Sequence, residues 1–230
     1  MHILAIDTAL ARCSVAFGDP GNAASLTVRS VAMERGHAEA LVPMVEEVLA
    51  AAGAIYTDAD RIAVTVGPGS FTGLRVGVAA ARGIALAARR PLVAVDTLAA
   101  LAEGIRPAVP ARPIAAVIDA RRGEIYAALY GAAGETLLEP SALVAADFAD
   151  ALAESGLAPV LTGSAAAIVA PLLLERGCAH EVADEAAAPP VEAVLRLGER
   201  LAATTTARPL YLRPPDAKPQ TRFRIARQCC

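Results

Sequence analysis

Residues 2–18, HILAIDTALARCSVAFG, and residues 113–131, PIAAVIDARRGEIYAALYG, follow one plan. Each is an apolar run closed by an aspartate, a short polar turn and a second apolar run, which reads as a β-hairpin. Asp7 and Asp119 occupy the same place, ending the first strand and opening the turn. A second pair of stretches matches as well. Residues 62–77 (IAVTVGPGSFTGLRVG) and 159–177 (PVLTGSAAAIVAPLLLERG) both run strand, glycine-containing turn, helix. A chain that repeats this order predicts an α/β protein with duplicated βββαβα-like units, two similar lobes facing across a cleft.

The remaining elements fit that plan. Residues 25–31 read as a third strand, and residues 36–53, GHAEALVPMVEEVLAAAG, carry helical periodicity ending at Gly53. Pro43 either lies in the first turn of that helix or kinks it. RIAVTVG (61–67) is apolar enough for the centre of a parallel sheet. A helix over 73–89, a strand over 91–96 and a helix over 97–105 complete the first unit. The proline-marked stretch 105–113 is the joint. The expected division is residues 1–105, residues 106–213 and a basic tail over 214–230.

The 230 residues are 55 % hydrophobic but only 3 % aromatic, with no Trp. Alanine therefore does much of the packing, so elements approach closely while each contact buries little area. A net charge of −3 argues against a chain that grips nucleic acid alone. From Arg213 to Cys230 the charge is +4, leaving −7 on the rest. That tail reads as a contact arm or a solvated end. Cys13, Cys178, Cys229 and Cys230 form no C-x-x-C, and the start reaches Asp7 before any signal-length apolar run. The thiols are expected unpaired, in the cytoplasm. The uncharged stretch 155–174 is interrupted by Gly156, Pro159, Gly163 and Pro171, which predicts a strand plus a helix and no membrane partner.

The stretch TVGPGSFTGLRVG (65–77) has the outline of a phosphate-binding loop. It lacks the lysine and closing glycine of a Walker A loop, and Ser70 lacks the flanking glycines of a nucleophile elbow. A dinucleotide turn stays open, because G-x-G-x-x-x-G follows an apolar strand and Asp96 ends the next one. Phe71, bulky where a pyrophosphate would approach, counts against it. The helix after the loop offers another reading. Ser70 or Thr72 caps it, and Gly73, Val76, Gly77, Ala80, Ala81, Ile84 and Ala87 form a ridge of mostly small residues. Leu74, Val78 and Ala85 give a second apolar side. The helix from His37 is similar, with Leu41, Val45 and Val48 on one side and Val42 and Leu49 on another. Helices apolar on two sides have two partners, so this pair is expected to make half of a four-helix contact with another chain.

ILAIDTA, CSVAFG, GHAEALVP, VGPGSFTGLRVGVAAARGIAL, IDARRGEIYAALY and PLYLRPPDA, in this order, resemble the TsaB family, also called YeaZ. The resemblance runs from Ile3 to about Ala217. It implies the two-lobed actin/Hsp70-like ATPase (ASKHA) fold. It also implies an accessory, non-catalytic role in making threonylcarbamoyladenosine in tRNA. Members pair with the catalytic paralogue TsaD through their first two helices, self-associate as homodimers by the same surface when alone, and are joined by the ATPase TsaE. Contact with tRNA is then indirect, through the complex.

The transferase of that system carries H-x-x-x-H on its first helix. Here His37 is followed by Leu41, so no metal site is expected. In actin-like ATPases an aspartate ending the first strand holds a metal through water. Asp7 and Thr8 stand there, with Asp119 and Gly163 in the second lobe, but DTALARCS lacks the glycine that brings backbone N–H groups to phosphates. These four are a candidate degenerate nucleotide site, with turn capping as the other reading of both aspartates. No intrinsic cofactor is expected, and ATP or ADP only at the interface of the complex. The alternatives are a small actin-like kinase or ATPase using Asp7 and Asp119, and a dinucleotide-binding protein.

Overall fold

The computed structural model of the protein describes residues 1–213; the basic tail, with Cys229 and Cys230, lies outside the described residues. The first unit comprises β1 (Ile3–Asp7), β2 (Arg12–Gly18), β3 (Thr27–Ala32), α1 (His37–Ala51), β4 (Arg61–Gly67), α2 (Phe71–Ala88), β5 (Leu92–Asp96) and α3 (Thr97–Ile105). The second comprises β6 (Ile114–Arg121), β7 (Glu124–Tyr130), β8 (Thr136–Val144) and α4 (Ala145–Ser155). It continues with β9 (Val160–Thr162), α5 (Ala166–Glu175), β10 (Glu181–Val182) and α6 (Val191–Arg200).

The two sheets share one topology, β3-β2-β1-β4-β5 and β10-β9-β6-β7-β8. In each, three antiparallel strands lead, and two parallel strands follow on the far side of the first strand. The central strands β1 and β4 are apolar on both faces because both faces are covered. On one face Leu4, Ile6, Ile62 and Val64 pack under α1 and α2. On the other, Ile3, Ala5, Ala63 and Val93 meet α6. The second sheet packs Val117, Ile125 and Leu161 under α4 and α5, and Ile114, Ala116 and Ile118 against α3.

The closing helices are thus exchanged. α3 covers the second sheet, and α6, last in the chain, covers the first. They lie against each other in the middle, clamped by Glu103, which receives Arg196 Nε at 2.9 Å and Arg200 at 2.5 Å. Arg61 then caps the end of α6, donating to the Gly198, Glu199 and Leu201 carbonyls at 2.9–3.2 Å. Beyond α6 the chain returns over the first sheet. Thr204 N–H donates to the Leu92 carbonyl at 2.7 Å and Leu210 N–H to the Val66 carbonyl at 2.6 Å.

Two local details depart from the sequence reading. Pro43 lies in the second turn of α1, and the helix is continuous through it. α2 begins at Phe71, two residues before the expected start, with Ser70 Oγ accepting from Gly73 N–H at 3.4 Å as the cap. By length and hydropathy α2 alone among the described helices could span a membrane, but it packs on β4.

Candidate functional site

The glycine loop is filled by its own protein. Ser70 N–H donates to the Ala9 carbonyl at 2.6 Å, and Thr8 Oγ1 donates to the Gly73 carbonyl at 2.7 Å. A Cβ on Gly69 would lie 2.2 Å from the Ala9 carbonyl oxygen, and one on Gly73 2.1 Å from that of Thr8. One on Gly77 would lie 2.3 Å from Thr8 Oγ1. These glycines therefore let α2 settle onto the turn after β1. The Ser70 amide of the loop is thus already bonded within the protein.

Asp7 and Thr8 are fully buried. Asp7 Oδ1 accepts from Thr65 Oγ1 at 2.6 Å and from Ala9 N–H at 3.1 Å. Burial pushes the Asp7 carboxyl above the usual carboxylate range, against the pull of those two donors. The same burial, with Asp7 nearby, lifts the Cys13 thiol to about 11. Asp119 is exposed and accepts from Arg121 N–H at 2.7 Å. Gly163 packs against the second sheet, where a Cβ would come 2.3 Å from the Val117 carbonyl oxygen. The four nucleotide candidates therefore do not line one common cavity. Of them only Asp119 lines the cleft between the lobes, an open cavity of about 550 Å³ shared with Gly69, Ser70, Arg121 and Ser164. Asp96 is no ribose partner either. Its carboxylate caps α3 through Ala99 N–H at 2.9 Å, and burial between the lobes pushes it up to about 6.

The structure divides the expected docking flank between an inner and an outer face. His37, Leu41, Val45, Val48, Gly73, Gly77 and Ala81 are buried in their own lobe. With β1 and β4 beneath them, these residues form the inner face of α1 and α2. Val76, Ala80 and Ile84 are half-buried along its edge. The outer face carries Val42 on α1, and Ala79, Gly83, Leu86 and Ala87 on α2; Leu86 is 82 % exposed. A shallow apolar groove of about 420 Å³ runs beside it, lined by Tyr56, Gly83, Ile84 and Ala87.

Gly83 is the residue that the sequence reading missed. It lies inside an 18-residue helix, exposed, and a Cβ there would meet nothing within 4 Å. Glycine in a helix interior costs about 0.5–1 kcal/mol relative to alanine. Gly73 and Gly77 have a reason inside the lobe; Gly83 has none. An unexplained glycine on a helix was the signal that could have found it.

Comparisons with known proteins fit this arrangement. A family model described as TsaD, tRNA N6-adenosine threonylcarbamoyltransferase, matches residues 30–169. The tRNA threonylcarbamoyladenosine biosynthesis protein TsaB of Escherichia coli K12 is 42 % identical over 130 residues, 56 % of this chain and 55 % of that protein. The chain thus spans about half the length of the curated relatives it matches. A crystal structure of a Pseudomonas aeruginosa protein, described as uncharacterized with similarity to peptidase YEAZ, superposes with a TM-score of 0.76. It is 30 % identical and covers 92 % of this chain and 99 % of its own. The ROK hexokinase of Thermus thermophilus, at 15 % identity and a TM-score of 0.52 over 86 % of this chain and 98 % of its own, shares the fold alone. That fold is the actin-like ASKHA fold. A match across more than half of the sequence, together with this overlay, shows that the chain belongs to the TsaB (YeaZ) family.

Proposed function

We propose that this protein is a non-catalytic subunit in the biosynthesis of threonylcarbamoyladenosine in tRNA, acting in the cytoplasm as a scaffold for a TsaD-type transferase. The carrying observation is Gly83, an exposed helix glycine with no intramolecular reason, set among Val76, Ala80, Ile84 and Ala87. A bare backbone at that point admits a second helix to short range. The occupant in this reading is a transferase related to this chain, presenting its own counterpart of α1 and α2. The match of a transferase family model to residues 30–169 supports that kinship.

The site supports a role without chemistry of its own. Asp7, the carboxylate an actin-like ATPase would use, is sealed and bonded to Thr65. His37 is buried above Leu41, which offers no second ligand. In this reading a TsaE-type ATPase joins the assembled pair, tRNA meets the complex and not this chain alone, and the same surface closes a homodimer when the transferase is missing. Gel filtration of the full chain mixed with a TsaD-type transferase at micromolar concentration tests it. One co-eluting peak is expected; two separate peaks would contradict the pairing.

A further inference from the structure

Three of the chain's eight aromatic side chains, Phe71, Tyr126 and Tyr211, line one cavity of about 380 Å³. They come from three different parts of the fold: the start of α2, β7 in the opposite lobe, and the strap that follows α6. Arg121 and Arg213 complete the wall, and among the described residues no carboxylate lines it. In a chain of 3 % aromatic content and net charge −3, such a concentration of rings and guanidiniums stands apart.

Core packing does not account for it. Phe71 and Tyr211 are 45 % and 42 % exposed, yet their rings are in contact, with centroids 5.2 Å apart and planes tilted by 31°. The pair is held in place from behind. Arg75 lies over Phe71 at 3.7 Å from the ring centre and donates from Nε to the Tyr211 hydroxyl at 3.0 Å. The exposed guanidinium of Arg121 makes no hydrogen bond or ion pair with any described residue. Its backbone sits at φ +64°, a left-handed conformation uncommon for a non-glycine residue, where β6 shifts register at the hairpin turn. Arg213 is anchored beside it, donating to the Ala120 carbonyl at 3.1 Å and pairing with Glu124 at 3.3 Å.

We propose that this cavity binds a nucleobase together with its adjacent phosphate. The base stacks among Phe71, Tyr126 and Tyr211, and Arg121, reinforced by Arg213, takes the phosphate. The volume falls in the range of small-ligand pockets. The site is distinct from Asp7, Thr8 and Gly163, and it does not depend on docking at Gly83. A base with its phosphate can come from a free mononucleotide or from an unpaired residue of RNA.

The test is calorimetry and fluorescence anisotropy on the full chain at low salt with three probes: adenosine 5′-monophosphate, adenosine, and single-stranded hexaadenylate. The monophosphate is expected to bind in preference to adenosine. Tyr211→Ala and Arg121→Ala are each expected to weaken binding at least about five-fold, while Tyr211→Phe retains the stack. Melting curves of the two alanine variants, expected to match the parent, separate lost binding from lost fold. Hexaadenylate binding more tightly than the monophosphate assigns the site to RNA; the monophosphate binding as tightly assigns it to free nucleotide. Either outcome supports the proposal. Absence of binding by both phosphate-bearing probes at millimolar concentration, equal binding of adenosine, or binding indifferent to Tyr211→Ala would overturn it.

Discussion

Asp7 and Asp119 each accept a hydrogen bond from the backbone N–H two residues further on, at 3.1 Å from Ala9 and 2.7 Å from Arg121. The duplicated hairpin thus keeps one turn in both lobes, while the surroundings diverge. Asp119 remains in water at the cleft wall; Asp7 is sealed beneath α2. The same carboxylate is a turn former in one lobe and a core polar group in the other.

Sealing Asp7 makes it dependent on Thr65, whose hydroxyl donates at 2.6 Å. Asp7 Oδ2 has no partner among the described residues, so the loss of a further donor is costly. Thr65→Val keeps the shape and removes the donor. Urea denaturation is expected to show a loss of about 1–3 kcal/mol; an unchanged midpoint would mean that this bond contributes nothing.

The seating of α2 on Thr8 gives a prediction of non-additivity. Gly77→Ala drives a Cβ against Thr8 Oγ1, a side-chain atom, whereas Gly73→Ala drives one against the Thr8 carbonyl. Each is expected to cost about 1–3 kcal/mol. Adding Thr8→Ala should rescue Gly77→Ala and not Gly73→Ala, because only the first obstacle is removed. Purely additive unfolding free energies in both pairs would refute the contact.

The duplication, the strands and the helices were legible because each carries its own period, and the aspartate marks the same turn twice. The ends were mostly legible too, through residues such as Ser70 and Gly53. What could not be read was which side of α1 and α2 faces inward. Leu41 and Val42, or Gly77 and Gly83, are alike in composition, and for the two glycines it is the position of Thr8, far away in sequence, that decides between them. The exchange of α3 and α6 between sheets was hidden for the same reason. Their apolar faces suit either sheet, and the choice rests on long-range contacts such as Glu103 with Arg196. Phe71 reads in the sequence as an obstacle to a pyrophosphate; its pairing with Tyr211 joins residues far apart in the chain.

Asp96 sets a pH dependence with a definite sign. Burial raises its carboxyl to about 6 in the folded chain, above the unfolded value near 4. The fold therefore binds this proton more tightly than the unfolded chain does. Its stabilising contribution is fully present below about pH 4 and is lost as pH rises through about 6, a change of about 3 kcal/mol at most. Asp96→Asn keeps the cap on α3 and removes the titration. The variant is expected to match the parent at pH 4 and to exceed it in stability at pH 8. A difference that does not vary with pH would rule out this role for Asp96.

The most direct measurement of the docking account is the dissociation constant between the full chain and a TsaD-type transferase, for the parent, Gly83→Ala and Gly83→Arg. Alone, Gly83→Ala should be about 0.5–1 kcal/mol more stable than the parent, because its Cβ projects into open space. With the transferase, the account predicts weaker binding for alanine and a loss of about a hundred-fold or more for arginine, with melting temperatures no lower than the parent's. Equal dissociation constants for all three proteins would contradict it.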